Sequence, residues 1–229
     1  MDNLHLVAQF YRPPQREHLD RMVECIQRNA DLEFVRGITL LDEDSGVDWE
    51  NEKIRVVPTK RRASYADMLM VASDNEDVLY SHYALMNSDI ILSADIRQLL
   101  PRITKPSTVA AITRRELDGS LRPQPKCSQD AWIFKARKPP GDLLDACFFR
   151  LGIAGCENLF AMSLYAHGYD IWNPCADCTI THNDPAPRMT FPQWVFGAYL
   201  WLPPCAIGDV EATAPRYEVK VVRKRFAIS

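Results

Sequence analysis

The chain reads as an α/β protein with a mostly parallel, open central sheet, helices on both faces and an irregular C-terminal half. Three observations predict this class. Short apolar runs alternate with segments of helical periodicity through the first hundred residues. The order there, strand, helix, strand, strand, helix, strand, is that of an open sheet with crossover connections. With 229 residues, 47% of them hydrophobic, the chain can bury one large core. We therefore expect a single domain over 1–229, with a regular half (1–100) and a half richer in proline (101–229).

Leu4-His-Leu-Val-Ala-Gln-Phe10 is the first expected strand, and Tyr11-Arg-Pro-Pro14 is its rigid exit. From Gln15 to Arg28, Leu19, Met22, Val23 and Ile26 recur at helical spacing between charged residues. Phe34 to Leu41 forms the second strand, with an acidic loop, Asp42-Glu-Asp-Ser-Gly46, at its end. Lys53 to Val57 is a short third strand stopped by Pro58. The basic loop Lys60-Arg-Arg62 enters a helix over Ser64–Ser73, and a further helix is expected over Glu76–Met86. Asn87-Ser88-Asp89 follows, leading into a buried strand, Ile90-Ile-Leu92.

The second half begins with a strand over Thr108–Thr113, which ends on Arg114-Arg-Glu116. A proline-bearing loop leads to Cys127–Lys135, and a helix is expected over Asn158–His167, stopped by Gly168. Tyr169–Pro174, Thr179–His182 and the alternating Tyr217–Arg223 complete the extended segments.

Composition excludes several classes. A formal net charge of −3 calls for neither nucleic acid nor an anionic membrane. No apolar run approaches the ~20 residues of a membrane span. The start of the sequence shows no basic stretch followed by a long apolar core, and seven scattered cysteines suit reduced thiols, so a cytoplasmic location is expected. Lys220–Arg225 reads either as a contact with a membrane carrying a lipid-linked acceptor or as a solvated edge strand.

In open α/β sheets ligands bind beyond the carboxyl ends of the strands. Those ends carry Phe10-Tyr11, the loop from Asp42, and Asn87-Ser88-Asp89. A carboxylate there can hold Mg²⁺ or Mn²⁺ on a diphosphate, although the three residues also suit a plain turn. Arg62, with Tyr65 nearby, can pair with phosphate oxygens or be merely solvated. Asp130 and Glu157 each sit beside an apolar segment, where a carboxylate can act as a general base. Glu157 also complements a helix N-terminus, and Asp130 equally suits a structural pair with an arginine. Cys175-Ala-Asp-Cys178 with His182, and Cys205 or His167 as a fourth group, could hold zinc.

Taken in order, these segments resemble glycosyltransferases of the GT-A fold. They are Phe10-Tyr11, Arg62-x-x-Tyr65, Asn-Ser-Asp at the place of an Asp-x-Asp motif, Ser-Gln-Asp-Ala-Trp-Ile-Phe, and Gly-Cys-Glu-Asn heading a helix that ends His-Gly-Tyr, with His182 late in the chain. The chain is especially similar to small bacterial and viral domains with a Gln-Asp-x-Trp-Ile-Phe strand, over about residues 4 to 185.

The resemblance implies a GT-A-like (Rossmann-like) domain that moves a sugar from a nucleotide-diphosphate sugar to a glycan or lipid-linked acceptor, with Mn²⁺ or Mg²⁺. Residues 1–100 would bind the nucleotide and 101–229 the acceptor. Asp89 stands for the last Asp of the motif and Asn87 for the first, with Ser88 between. Glu157 falls on the base of inverting members, and Asp130 lies near the donor sugar. His182 matches a late metal ligand. Phe10, Tyr11 and the Asp42 loop would surround the nucleoside, and Arg62 the diphosphate. Three rivals remain. One is a sugar nucleotidyltransferase, disfavoured by only nine glycines and no glycine-rich loop after the first strand. The others are a zinc-stabilised binding module and a transferase fold that binds nucleotide without turnover.

Overall fold

The computed structural model describes residues 2–74, 80–184 and 195–222. In chain order the elements are β1 (Leu4–Tyr11), α1 (Arg16–Ala30), β2 (Val35–Glu43), β3 (Ile54–Pro58), α2 (Tyr65–Ser73), β4 (His82–Asn87), β5 (Ile90–Leu92) and α3 (Ile96–Leu99). They continue with β6 (Thr108–Ile112), β7 (Ala131–Lys135), α4 (Gly141–Ala146), α5 (Cys156–Ala166), β8 (Asp170–Trp172), β9 (Ile180–His182), β10 (Gly197–Trp201) and β11 (Glu218–Val222).

Seven strands form one sheet in the order β3-β2-β1-β4-β7-β6-β8. β3, β2, β1 and β4 run parallel, as do β6 and β8, while β7 is antiparallel to both its neighbours. The expected class, a mostly parallel α/β sheet covered on both faces, is what the chain adopts. Both halves of the chain build this sheet, because β7 inserts between β4 and β6.

Strand side chains alternate between two cores, as a period of two requires. Leu6, Ala8, Phe10, Ala84, Met86 and Ile133 pack with α1 and α3 on one face. Val7, Tyr83, Leu85, Trp132 and Phe134 pack with α2, α4 and α5 on the other. α2 starts at a reciprocal capping box, in which Ser64 Oγ accepts from the Asp67 amide and Asp67 accepts from the Ser64 amide.

Two expectations are corrected. The helix expected over Glu76–Met86 is contradicted by β4. His82 to Asn87 is extended between β1 and β7, and residues 76–79 of that segment lie outside the described residues. A short run buried on both faces has no alternation in polarity, so periodicity cannot separate strand from helix there. Ile90–Leu92 is a strand but not one of the main sheet. It pairs antiparallel with β9, Ile90 opposite His182. The expected strand over Tyr217–Arg223 is present as β11, and its last residue, like Lys224 and Arg225, lies outside the described residues.

Candidate active site

The carboxyl ends of β1, β2 and β4 open on one edge of the sheet, and β5–β9 and the head of α5 close round it. Asn87 is the last residue of β4, and Asp89 sits in the turn between β4 and β5. The buried amide of Asn29 on α1 holds β5 in place. It donates to Ile90 O at 2.8 Å and accepts from the Leu92 amide at 2.8 Å, replacing a neighbouring strand. β9 then brings in His182, whose Nε2 lies 3.0 Å from Asp89 Oδ2. His182 Nδ1 faces Glu116 Oε2 at 3.4 Å.

Burial works against charge on both members of this pair. For His182 the hydrogen bond and charge of Asp89 outweigh it and raise the imidazole above its ordinary value. For Asp89, His182 and then Arg114 outweigh it and lower the carboxyl.

Behind Asp89 lies an ion pair that realises the structural alternative for Asp130, with an arginine the sequence pattern did not assign to it. Arg114, 3% exposed, donates from Nη1 to Asp130 Oδ1 at 2.9 Å and from Nε to Glu116 Oε1 at 3.3 Å. Asn87 donates from Nδ2 to the same Asp130 oxygen at 3.1 Å. This accounts for amide chemistry at 87. An aspartate there would set two carboxylates against each other, whereas the amide supplies a proton. Only the run of charge at the end of β6 could have pointed to Arg114.

Glu157 stands in the first turn of α5, half-buried. Burial first, and the nearby Asp130 charge second, raise its carboxyl above the ordinary value. Gly155 precedes it at φ 86°, where the Tyr199 ring packs so closely that a Cβ would collide with the hydroxyl.

Other expected residues lie as follows. Tyr11 is half-buried at the site's rim, with the Arg62 guanidinium 4.1 Å above its ring centroid. Arg62 Nε also donates to Glu43 Oε2 at 3.1 Å, so this arginine is held by β2's end. Asp42 accepts from the Ser45 amide and hydroxyl and shapes the loop after β2. Ser88 is buried. Phe10 and Tyr65 do not present faces to a ligand. Phe10 is fully buried, edge-on to Trp49, and Tyr65 is 4% exposed, stacked 3.9 Å from Phe160 and edge-on to Trp132. Even inner positions of β1 face the core, and the first residue of α2 points back into it. Tyr65 instead floors a recess with Asn87, Asp130 and Trp132.

The zinc arrangement is not formed. Among the described residues no three His, Cys, Asp or Glu side chains gather round one point. All seven cysteines are free thiols, and burial pushes Cys175 up to about 11. His182 turns to Asp89, and His167 Nδ1 to Ser163 O.

Asp89 Oδ1, by contrast, is buried with no hydrogen-bond partner among the described residues. A hard divalent cation bound through one or two carboxylates and substrate phosphates suits such an oxygen, whereas an all-protein cage is not built here.

No protein-family model and no curated protein sequence matches the chain. Solved structures do. Staphylococcus aureus TarS 1–349 in complex with UDP-GlcNAc superposes at a TM-score of 0.58 and 12% identity, over 85% of this chain and 62% of that one. The mannosyltransferase PcManGT from Pyrobaculum calidifontis, in complex with GDP-Man and Mn²⁺, superposes at 0.52 and 13% identity, over 82% of this chain and 58% of that one. This chain thus spans less than two thirds of either neighbour. The likeness shows a GT-A-type fold. No helix among the described residues is long and apolar enough to cross a membrane.

Proposed function

We propose that this chain is a glycosyltransferase that passes a sugar from a nucleotide-diphosphate sugar to an acceptor hydroxyl of a glycan, with Mn²⁺ or Mg²⁺ that Asp89 would hold. One observation carries the reading. A metal-capable carboxylate, Asp89, and a carboxylate with a raised pKa, Glu157, flank the buried Arg114–Asp130 pair at the ligand edge of a GT-A sheet.

Each residue then has a task. Tyr11, Glu43 and the Asp42 loop line the nucleoside side. Arg62 is placed for the diphosphate, exchanging its contact with Glu43 for phosphate oxygens. Asp89 would hold the cation, and His182, now beside Asp89, would be a further protein ligand. When bound, the cation offsets negative charge on the leaving diphosphate, usually the largest catalytic contribution. Glu157 takes the proton from the acceptor hydroxyl as that oxygen attacks the anomeric carbon. A raised pKa suits this, because a base is most effective when its pKa nears the working pH. Asp130, held by Arg114 and Asn87, keeps the floor of the site rigid beside the donor sugar.

The reading is tested by thermal shift against nucleotide diphosphates and nucleotide sugars, with and without Mn²⁺. A ligand at 100 times its dissociation constant stabilises the fold by about 2.7 kcal/mol. The expected result is a shift that needs both metal and one nucleotide and disappears in Asp89→Ala. Absence of any shift across the panel would sink the reading.

A further inference from the structure

β10 extends from the site to a second cluster of side chains that the donor chemistry leaves unused. Residues two apart on a strand share a face, roughly 7 Å from one another. Tyr199 and Trp201 are such a pair. The Tyr199 ring seats against Gly155, two residues before Glu157. Trp201 is partly exposed, and two ammonium groups lie over its indole, Lys220 Nζ at 4.5 Å and Lys126 Nζ at 5.0 Å from the centroid.

These groups are held from both sides. Tyr199 pairs with Lys220 and Trp201 with Glu218 across the β10–β11 ladder. Leu202 donates its amide to Lys126 O at 3.0 Å. Glu218 accepts from Lys126 Nζ at 2.6 Å. Arg122, in the same loop, donates its amide to Arg114 O at 3.2 Å, which ties this loop to the site. Arg122 Nη1 is buried and has no hydrogen-bond partner among the described residues. Among the described residues two ammonium groups, Lys126 and Lys220, lie at the indole and one carboxylate, Glu218, pairs with the first, so this surface carries an excess of positive charge in a chain of net charge −3. Arg122 also acts on Glu157, lowering a carboxyl that burial and Asp130 raise.

We propose that the Trp201 platform, with Lys126, Lys220 and Arg122, is the acceptor subsite, and that the acceptor is an anionic glycan carrying phosphate or carboxylate groups along its chain. This rests on the glycosyltransferase reading. The ammonium groups over the indole supply point charges for phosphate or carboxylate, and the part of the indole they leave exposed offers apolar surface to the sugar that carries those charges. The guanidinium of Arg122, nearer the base, orients the next anionic unit by paired hydrogen bonds. Two ammonium groups at one ring and one guanidinium nearer the base are too small a footprint for nucleic acid, which is tracked by many backbone contacts.

The test uses the full chain at low salt. Tetragalacturonate (carboxylates), a glycerol phosphate tetramer (phosphates) and neutral maltotetraose are titrated by calorimetry and tryptophan fluorescence. Thermal shifts with nucleotide sugars are read in parallel. One or both anionic tetramers bind, and maltotetraose is far weaker. Lys126→Gln and Lys220→Gln each weaken the anionic probe by about tenfold, the size of one lost charge-assisted contact, and leave the donor shift unchanged. Trp201→Phe retains binding and changes the fluorescence response.

Equal binding of maltotetraose, unchanged affinity in both lysine variants, or equally tight binding of a short single-stranded DNA would overturn the subsite. So would capture by phosphatidylglycerol vesicles with no binding of either soluble tetramer, which would make the patch a lipid contact. A donor shift without anionic binding defeats this proposal alone. Anionic binding without any donor shift defeats the transferase reading as well.

Discussion

Asp89 and His182 stand 93 residues apart in the chain, yet Oδ2 of one lies 3.0 Å from Nε2 of the other. The β5–β9 ladder sets Ile90 opposite His182 and so brings the two side chains together, while Ile90, Leu92 and Ile180 pack into the core. The two strands are three residues each and lie outside the main sheet. The buried amide of Asn29 fastens β5 to α1.

This pair makes stability depend on pH in metal-free protein. His182 titrates above 6.5 in the fold, so its contribution is full below 6.5 and is lost as pH rises through the folded value. Asp89 titrates below 3.8, so its contribution is present above 3.8 and is lost as pH falls through the lowered value. Melting temperature in chelator is therefore expected to decline as pH is raised beyond 6.5. His182→Gln should flatten that decline and cost about 2 kcal/mol at pH 5.5. An unaltered profile in the variant would show that the pair carries no charge.

Glu157→Gln is expected to lower turnover by about 10²–10⁴-fold while the donor thermal shift persists. The wild-type rate should rise with pH through a value above 4.5, since only the carboxylate takes a proton. A carboxyl with a raised pKa weakens the fold as pH climbs from 4.5 through its folded value, because the native state then holds the more costly charge. The same variant should therefore melt higher than wild type at neutral pH. Loss of stability together with activity would assign Glu157 to structure.

Arg114 and Asp130 are 3% and 1% exposed, so removing the guanidinium leaves a buried carboxylate without its opposite charge. Arg114→Met should cost about 3–5 kcal/mol in denaturant unfolding. Adding Asp130→Leu should return part of it, with a coupling of about 0.5–3 kcal/mol. Additive losses would mean that the two groups are independently solvated.

Ser64→Ala removes the capping box of α2 and should cost about 1 kcal/mol. Arg62 lies two residues earlier, so the helix start also sets the diphosphate side of the site. Donor affinity is expected to fall several-fold with turnover at saturation unchanged, which a KM-against-kcat comparison measures. A fall in kcat alone would place the effect elsewhere.

Much of this was legible in the chain before it folded. The amphipathic spacing of Leu19, Met22 and Ile26 marks α1 because helical periodicity is a local property. The polar residues that interrupt apolar runs mark Asp89 and Glu157 for the same reason. The segment 82–87 was not legible, since an apolar run buried on both faces carries no periodic signature. Nor was the inward turn of Phe10 and Tyr65, which depends on which sheet face each position meets. Arg114 became visible only when β6 came to lie beside β7 and set its guanidinium against Asp130. The sequence by itself determined the α/β class, most elements and the acidic candidates, because these follow from local pattern and residue chemistry. Only the tertiary structure decided which of those candidates face one another, because strand register and long-range pairing set that geometry.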